Sequence, residues 1–169
     1  MEQERRIVSL DGEWDFFYRM EGVDRSDGCL PTAGKYDVRM PVPGYWDDHW
    51  ERFRYTDAWS RGCRFNPEYR KIDEFPLGLT KPPDASLPFL VGTGWYRRTF
   101  QAEEDWEESC VTLHIGGVTM EAWIWLNGQW IGHHVGHLTP FEFSLNEALK
   151  PGQENELIIA VSNTRTDRT

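Results

Sequence analysis

The chain has 169 residues, enough for one domain with a sizeable core, and carries a formal net charge of −10 with a pI near 4.9. This acidic balance, with no basic tract, argues against a nucleic-acid partner or an anionic membrane surface, and no apolar run is long enough to span a membrane as a helix. The 14% aromatic content, with 15 glycines and 10 prolines, favours many short strands joined by turns.

Alternation of large apolar residues with small or polar ones predicts eight short strands. In chain order they cover residues 13–19, 36–42, 94–100, 110–115, 120–126, 129–135, 139–145 and 156–162. Pro41 and Pro43 restrict the second strand to an edge or an end of a sheet. The last strand is almost entirely apolar, which predicts a central position. Eight strands separated by polar turns indicate an antiparallel sandwich of two sheets.

The clearest local pattern lies in residues 117–143. Trp123 and Trp125 fall on one face of a strand, and Asn127-Gly128 then predicts a type I′ hairpin turn, in which both central residues need positive φ. Strict alternation in their strands also predicts that Trp14, Trp95 and Trp123 are buried.

Residues 49–88 show no sustained helical or strand period, apart from a helical turn expected near 47–54. A loop this long is usually functional or disordered, and its seven aromatic residues argue against disorder. Because ordering each residue costs about 1–2 kcal/mol, the segment must bury apolar surface to be ordered. We expect it to lie ordered over one edge or end of the sandwich.

Five strings along the chain resemble the N-terminal, sugar-binding-like domain of glycoside hydrolase family 2, the family of β-galactosidases, β-glucuronidases and β-mannosidases. They are Leu10-Asp11-Gly12-x-Trp14-x-Phe16, Val42-Pro43-x-x-Trp46-x-Asp48, Gly92-x-x-Trp95-Tyr96-Arg97-Arg98-x-Phe100, Gly132-x-His134-x-Gly136-x-x-Thr139-Pro140-Phe141 and Gly152-x-x-Asn155-x-Leu157-x-x-x-Val161. The chain departs from the pattern at His137 and Leu138, where the family usually has Gly and Tyr.

The resemblance implies an all-β, antiparallel jelly-roll β-sandwich similar to galactose-binding domains. It covers nearly all of a single domain, residues 1–169, except the insertion at about 49–88. The parent protein would be a longer glycosidase with Ig-like and (β/α)8-barrel domains that hydrolyses O-glycosidic bonds. The family's catalytic glutamates lie in the barrel, so no catalytic residue is assigned here, and neither a cofactor nor a metal is expected.

Sugar binding is the chemistry that the residues favour, because pyranose faces stack on indole rings while hydroxyls pair with Asn and Asp. The candidates on exposed loops are Trp46, Trp50, Trp59, Asn163 and Asp167. In the family's β-galactosidases, an Asn before the Gly-x-Tyr strand and an Asp after the last strand reach the active site. Asn is missing at the first position, near 91–92, and Asp167 falls near the second.

Two other arrangements of reactive residues are weaker candidates. Asp47 and Asp48 are adjacent, so on a strand their carboxylates point to opposite faces and cannot converge on one glycosidic bond. His133 and His134 likewise face apart on a strand, and no Cys or carboxylate completes a zinc set. We expect His134 to pack or hydrogen-bond locally at the end of the hairpin.

Several properties stay open. The odd count of cysteines, Cys29, Cys63 and Cys110, excludes complete pairing but leaves a single bridge open. The N-terminus has no hydrophobic signal core, as in a cytoplasmic protein or an exported one from which a signal has been trimmed. The end at Thr169, soon after a strand, is expected of a truncated glycosidase. A free-standing carbohydrate-binding module and a purely structural interaction domain are the alternatives.

Overall fold

The computed structural model describes residues 5–19, 23, 30, 36, 38–52 and 92–164. Within these ranges it has eight strands, close to the predicted ones, and two short 3-10 helices. The strands are β1 (Gly12–Arg19), β2 (Val38–Val42), β3 (Thr93–Gln101), β4 (Thr112–Ile115), β5 (Glu121–Leu126), β6 (Gln129–Val135), β7 (Phe141–Ser144) and β8 (Glu154–Ser162). The 3-10 helices span Trp46–Arg52 and Glu104–Glu108, and none of the described helices is long and apolar enough to cross a membrane.

The strands form two sheets. Six of them follow the order β2-β1-β3-β8-β5-β6, and β4 pairs with β7 in the second sheet. Every pairing is antiparallel. The predicted all-β sandwich is therefore confirmed, as is the edge position of the proline-containing β2. β8 lies between β3 and β5, which confirms the central position predicted from its apolar sequence.

The main core lies on the inner face of the six-stranded sheet. It includes Phe16, Ile124, Leu126 and Leu157, each with no exposed surface, and residues of the two-stranded sheet such as Phe143 pack against it. Gly132 on β6 makes room for Phe143, because a Cβ atom at that position would lie 2.2 Å from Cε1 of the phenyl ring. The glycine is thus what lets the second sheet close over β6.

The predicted hairpin turn is confirmed, with φ of 53° at Asn127 and 79° at Gly128. The Asn127 side chain also fastens the turn to the rest of the sheet. Its Oδ1 accepts from the Glu156 amide at 3.0 Å, and its Nδ2 donates to the Ala148 carbonyl and to Asn155 Oδ1, both at 2.8 Å. One residue therefore shapes the turn and joins it to the start of β8.

The outer face of the six-stranded sheet carries a second, smaller aromatic cluster. It comprises Phe17, Trp95, Trp123, Ile158 and Ala160, with Val23, Leu30, Tyr36 and Trp125 packed against it. The predicted burial of three tryptophans is confirmed, since Trp14, Trp95 and Trp123 keep 4%, 4% and 5% of their surface exposed. Both faces of this sheet are thus largely apolar near its centre.

The 3-10 helix Trp46–Arg52 confirms the helical turn predicted near 47–54. Arg52 donates to the Glu13 carboxylate at 2.9 Å and to the Arg39 carbonyl at 2.9 Å, so the helix is tied to the β2 edge of the sheet. The rest of the insertion, residues 53–88, lies outside the described residues, and its predicted packing stays a prediction.

A charged group occupies the outer face between β1, β2 and β3. Arg97 donates to Asp15 Oδ2 from Nη2 at 2.6 Å and from Nε at 3.0 Å, while Arg39 binds Oδ1 of the same carboxylate. The Arg97 guanidinium also lies 4.5 Å from the centre of the Tyr36 ring. Partial burial tends to raise the pKa of Asp15, but the hydrogen bonds from Arg97 and Arg39 outweigh it and hold that pKa below its ordinary value of 3.8.

This lowered pKa predicts a specific acid sensitivity. A carboxylate with a depressed folded-state pKa stabilises the fold above its unfolded pKa, and that contribution is lost as the pH falls through the folded value. We therefore expect the wild-type free energy of unfolding to decline more steeply below about pH 4 than that of Asp15→Asn. Urea titrations at a series of pH values measure both slopes, and parallel slopes would contradict the prediction.

Candidate functional site

Buried polar side chains are concentrated at one end of the six-stranded sheet. The described ranges contain four buried polar or charged residues, and three of them, Thr93, Ser162 and Glu121, are register partners across β3, β8 and β5. Neighbouring strands lie about 4.8 Å apart, so these side chains are adjacent on one face. We call Thr93, Ser162 and Glu121 the polar row. Since side chains alternate along a strand, the row shares the outer face with the aromatic cluster.

Two further residues flank the polar row in register. Arg19 pairs with Thr93 at the end of β1, and Val135 pairs with Glu121 at the end of β6. The Arg19 guanidinium lies 5.3 Å from the centre of the Phe17 ring. Arg19 and Glu121 are separated by three strand spacings, about 14 Å. The cation and the carboxylate therefore lie at opposite sides of this end of the sheet.

Asn163, one of the predicted sugar-binding residues, lies next to the polar row. Its Oδ1 accepts from the Gly92 amide at 2.9 Å, and its own amide donates to the Gly92 carbonyl at 3.2 Å. Gly92 cannot easily carry a side chain, because a Cβ atom would lie 2.4 Å from the Arg19 carbonyl oxygen. This pair fixes the backbone just before β3 and just after β8, and so holds Thr93 and Ser162 in place.

Trp46 lies in the core, so its predicted exposure is wrong. The side chain keeps 6% of its surface exposed, and its ring centre lies 6.4 Å from that of Phe16 and 6.3 Å from that of Tyr18. The cause is Gly94, where a Cβ atom would lie 2.8 Å from the indole. The indole fills the space that this glycine leaves on the inner face, one residue along β3 from the polar row. It therefore packs under that end of the sheet on its inner face.

The sequence comparisons decide the family. Residues 7–167 match the family model described as the sugar binding domain of glycosyl hydrolases family 2. The chain belongs to glycoside hydrolase family 2. The resemblance seen in its five strings is thereby confirmed.

Curated relatives in this family are much longer than the chain. It is 35% identical over 159 residues to a β-glucuronidase of Paenibacillus borealis, covering 94% of the chain and 21% of that enzyme. It is 30% identical over 164 residues to a β-galactosidase of Arthrobacter sp. strain B7, covering 91% of the chain and 15% of that enzyme. Among solved structures, β-glucuronidase from Ruminococcus gnavus superposes with a TM-score of 0.65 at 23% identity, over 99% of this chain and 23% of that one. The last comparison supports the fold.

Three predicted site residues of this family 2 domain cannot be placed. The Trp50 side chain, Trp59 and Asp167 lie outside the described residues, and their contact with sugar stays a prediction, as does that of Asn163. Asp47 and Asp48 lie in the 3-10 helix Trp46–Arg52, within the helical turn predicted near 47–54, so the strand-alternation argument against a convergent pair does not apply to them.

The structure adds Glu121, which the motifs did not single out. Its side chain keeps 8% of its surface exposed, and it is the one buried charged residue within the described ranges. Nothing in that part of the chain forms a hydrogen bond or an ion pair with its carboxylate. One sequence feature indicates the burial of Glu121: it is the acidic residue on the strand face that otherwise carries Trp123 and Trp125.

The histidines and cysteines form no reactive group in the described part of the chain. His134 stacks on Phe141 with ring centres 3.9 Å apart, and its Nε2 lies 3.4 Å from Thr139 Oγ1, which confirms its predicted local packing. No set of three or more His, Cys, Asp or Glu side chains in the described ranges could hold a metal ion. Cys110 is exposed with a free thiol, and Cys29 and Cys63 lie outside those ranges.

Proposed function

We propose that this domain is the N-terminal accessory domain of a family 2 β-glycosidase, where it supports the catalytic barrel and shapes the substrate entrance. The polar row is the observation that carries this proposal. It gathers hydroxyl and carboxylate groups at one end of a sheet that is otherwise apolar near its centre. The chain matches 15% and 21% of the lengths of two relatives, which is consistent with one domain of a larger enzyme.

The physical chemistry of the polar row suits a carbohydrate. Ser162 Oγ already accepts from the Thr164 amide at 3.1 Å, so the group of the row that most needs a partner is the Glu121 carboxylate. A buried carboxylate costs free energy unless it is hydrogen-bonded, and sugar hydroxyls can donate to it. Binding sites gain specificity from a few polar groups held in fixed positions. Here the Asn163–Gly92 pair and the buried Trp46 hold the strand ends in place, and Glu121, with 8% of its surface exposed, is the member of the row that a sugar would meet first.

The cleavage chemistry belongs elsewhere in the parent enzyme on this proposal. Glycosidic hydrolysis uses two carboxyl groups on opposite sides of one bond. Within the described ranges Glu121 is the only buried carboxylate, so it has no buried acidic partner there. The domain would therefore act on substrate binding rather than on bond cleavage.

Ser162→Ala in the parent enzyme tests this role. Losing one hydrogen bond to a sugar costs about 0.5–1.5 kcal/mol, so we expect KM for the parent's glycoside to rise about 3–10-fold with little change in kcat. Ser144→Ala removes the same hydroxyl at an exposed position in the second sheet and serves as the matched control. Equal KM values for both variants, with both enzymes folded, would contradict the proposed contact.

A further inference from the structure

The polar row has a carboxylate, Glu121, at one side and neutral hydroxyl groups in the rest, and this charge bears on which sugar can bind. We infer that Glu121 makes this end of the domain select neutral pyranosides and disfavour glycosides of uronic acids. The inference rests on the proposed function, since it takes the polar row to face the sugar. It concerns which sugar is accepted there.

Glu121 is a buried carboxylate that no side chain pairs with in the described part of the chain. It keeps 8% of its surface exposed, and its backbone amide donates to the Thr119 carbonyl at 3.1 Å. Its carboxylate oxygens have no partner among the described residues, but they are not fully enclosed, so they keep some contact with solvent. A ligand arriving at this end of the sheet can therefore satisfy them.

The chemistry of the carboxylate determines which kind of sugar binds more tightly beside it. An ionised carboxylate accepts hydrogen bonds only, and bonds from hydroxyl donors to it are stronger than those between neutral groups. A neutral pyranoside brings several such donors. A uronoside carries a carboxylate in place of the primary alcohol group. Binding it beside Glu121 would bring two like charges together out of water, where they repel each other strongly.

Arg19 is the cation that could reverse this preference, and its position argues against that. It lies about 14 Å from Glu121 across the sheet, with Thr93 and Ser162 between them. Its guanidinium is also engaged by the face of the Phe17 ring. A sugar ring bound at Glu121 therefore faces the carboxylate while the cation lies three strands away.

The test is a pair of titrations of this chain, followed by ¹H–¹⁵N NMR, with methyl β-galactoside and methyl β-glucuronide as probes. We expect the galactoside to shift the amides of Thr93, Glu121 and Ser162 in a saturable way. The glucuronide should bind there at least about tenfold more weakly, the effect of one like-charge contact. Equal or tighter binding of the glucuronide in the wild-type chain would overturn the inference.

Glu121→Gln keeps the shape of the side chain and removes its charge, so it should bring the two affinities within about threefold of each other. Glu154→Gln makes the same change at an exposed position at the opposite end of β8 and should leave the wild-type ratio unaltered. A ratio unchanged in Glu121→Gln also counts against the inference.

The outcomes separate the two proposals. Glucuronide binding at the polar row as tight as that of the galactoside, or tighter, would refute the role of Glu121 while leaving sugar contact intact. Shifts from neither probe at the row would refute the inference, while the Ser162→Ala kinetics in the parent enzyme still decide the proposed function.

Discussion

Replacing Trp123 by alanine is expected to lower the free energy of unfolding by about 3–5 kcal/mol. The indole keeps 5% of its surface exposed at the centre of the outer face, and its ring stacks on His133 with ring centres 5.0 Å apart. Across the sheet it pairs with the small Ala160 of β8, which cannot fill the space that the missing ring would leave. Urea unfolding followed by circular dichroism measures the loss without relying on tryptophan fluorescence.

Tyr45→Ala provides the comparison for an exposed aromatic residue. Its side chain keeps 57% of its surface exposed, so the same kind of truncation should change stability by less than about 0.5 kcal/mol. A loss below about 1 kcal/mol for Trp123→Ala would place that indole on the surface and contradict the described packing.

Asn155→Ala is expected to cost about 2–4 kcal/mol, although it removes little apolar surface. Asn155 has no exposed surface, and its side chain makes four hydrogen bonds. Oδ1 accepts from the Lys150 amide and from Asn127 Nδ2, both at 2.8 Å, while Nδ2 donates to the carbonyls of Lys150 and Gln153, both at 2.9 Å. Alanine would remove all four of these part-buried bonds, and each is worth about 0.5–1.5 kcal/mol.

Asn146→Ala separates the effect of burial from that of the hydrogen bonds themselves. Asn146 also bridges backbone groups, accepting from the Val111 amide at 3.0 Å and donating to the Ser109 carbonyl at 2.6 Å, but it is exposed. Water can replace those bonds, so we expect a loss of about 0.5–1.5 kcal/mol. Equal losses at the two positions would show that the Asn155 network is not protected from water.

Local patterns in the sequence predicted most of the fold because each depends on neighbouring residues. The turn at Asn127-Gly128 follows from the positive φ that both residues adopt, and the edge position of β2 follows from Pro41. The central position of β8 follows from its apolar sequence on both faces. These properties require no knowledge of which strands pair.

The candidate site could be predicted only in part, because it depends on pairing between distant strands. Thr93, Glu121 and Ser162 become neighbours through the register of β3, β8 and β5, which alternation alone does not specify. Trp46 was predicted to lie on an exposed loop, but its indole is buried. The space beside Gly94 that buries its indole comes from a strand about 50 residues further along.

The central claim is that this domain contributes to sugar binding and leaves bond cleavage to the rest of a family 2 enzyme. The most direct test is an assay of the purified chain with chromogenic β-galactoside, β-glucuronide and β-mannoside substrates. We predict no release of chromophore above the rate without protein, because hydrolysis requires two convergent carboxyl groups, which our proposal assigns to the rest of the parent enzyme. Turnover by the chain that disappears in Asp47→Asn or Asp48→Asn would contradict the claim.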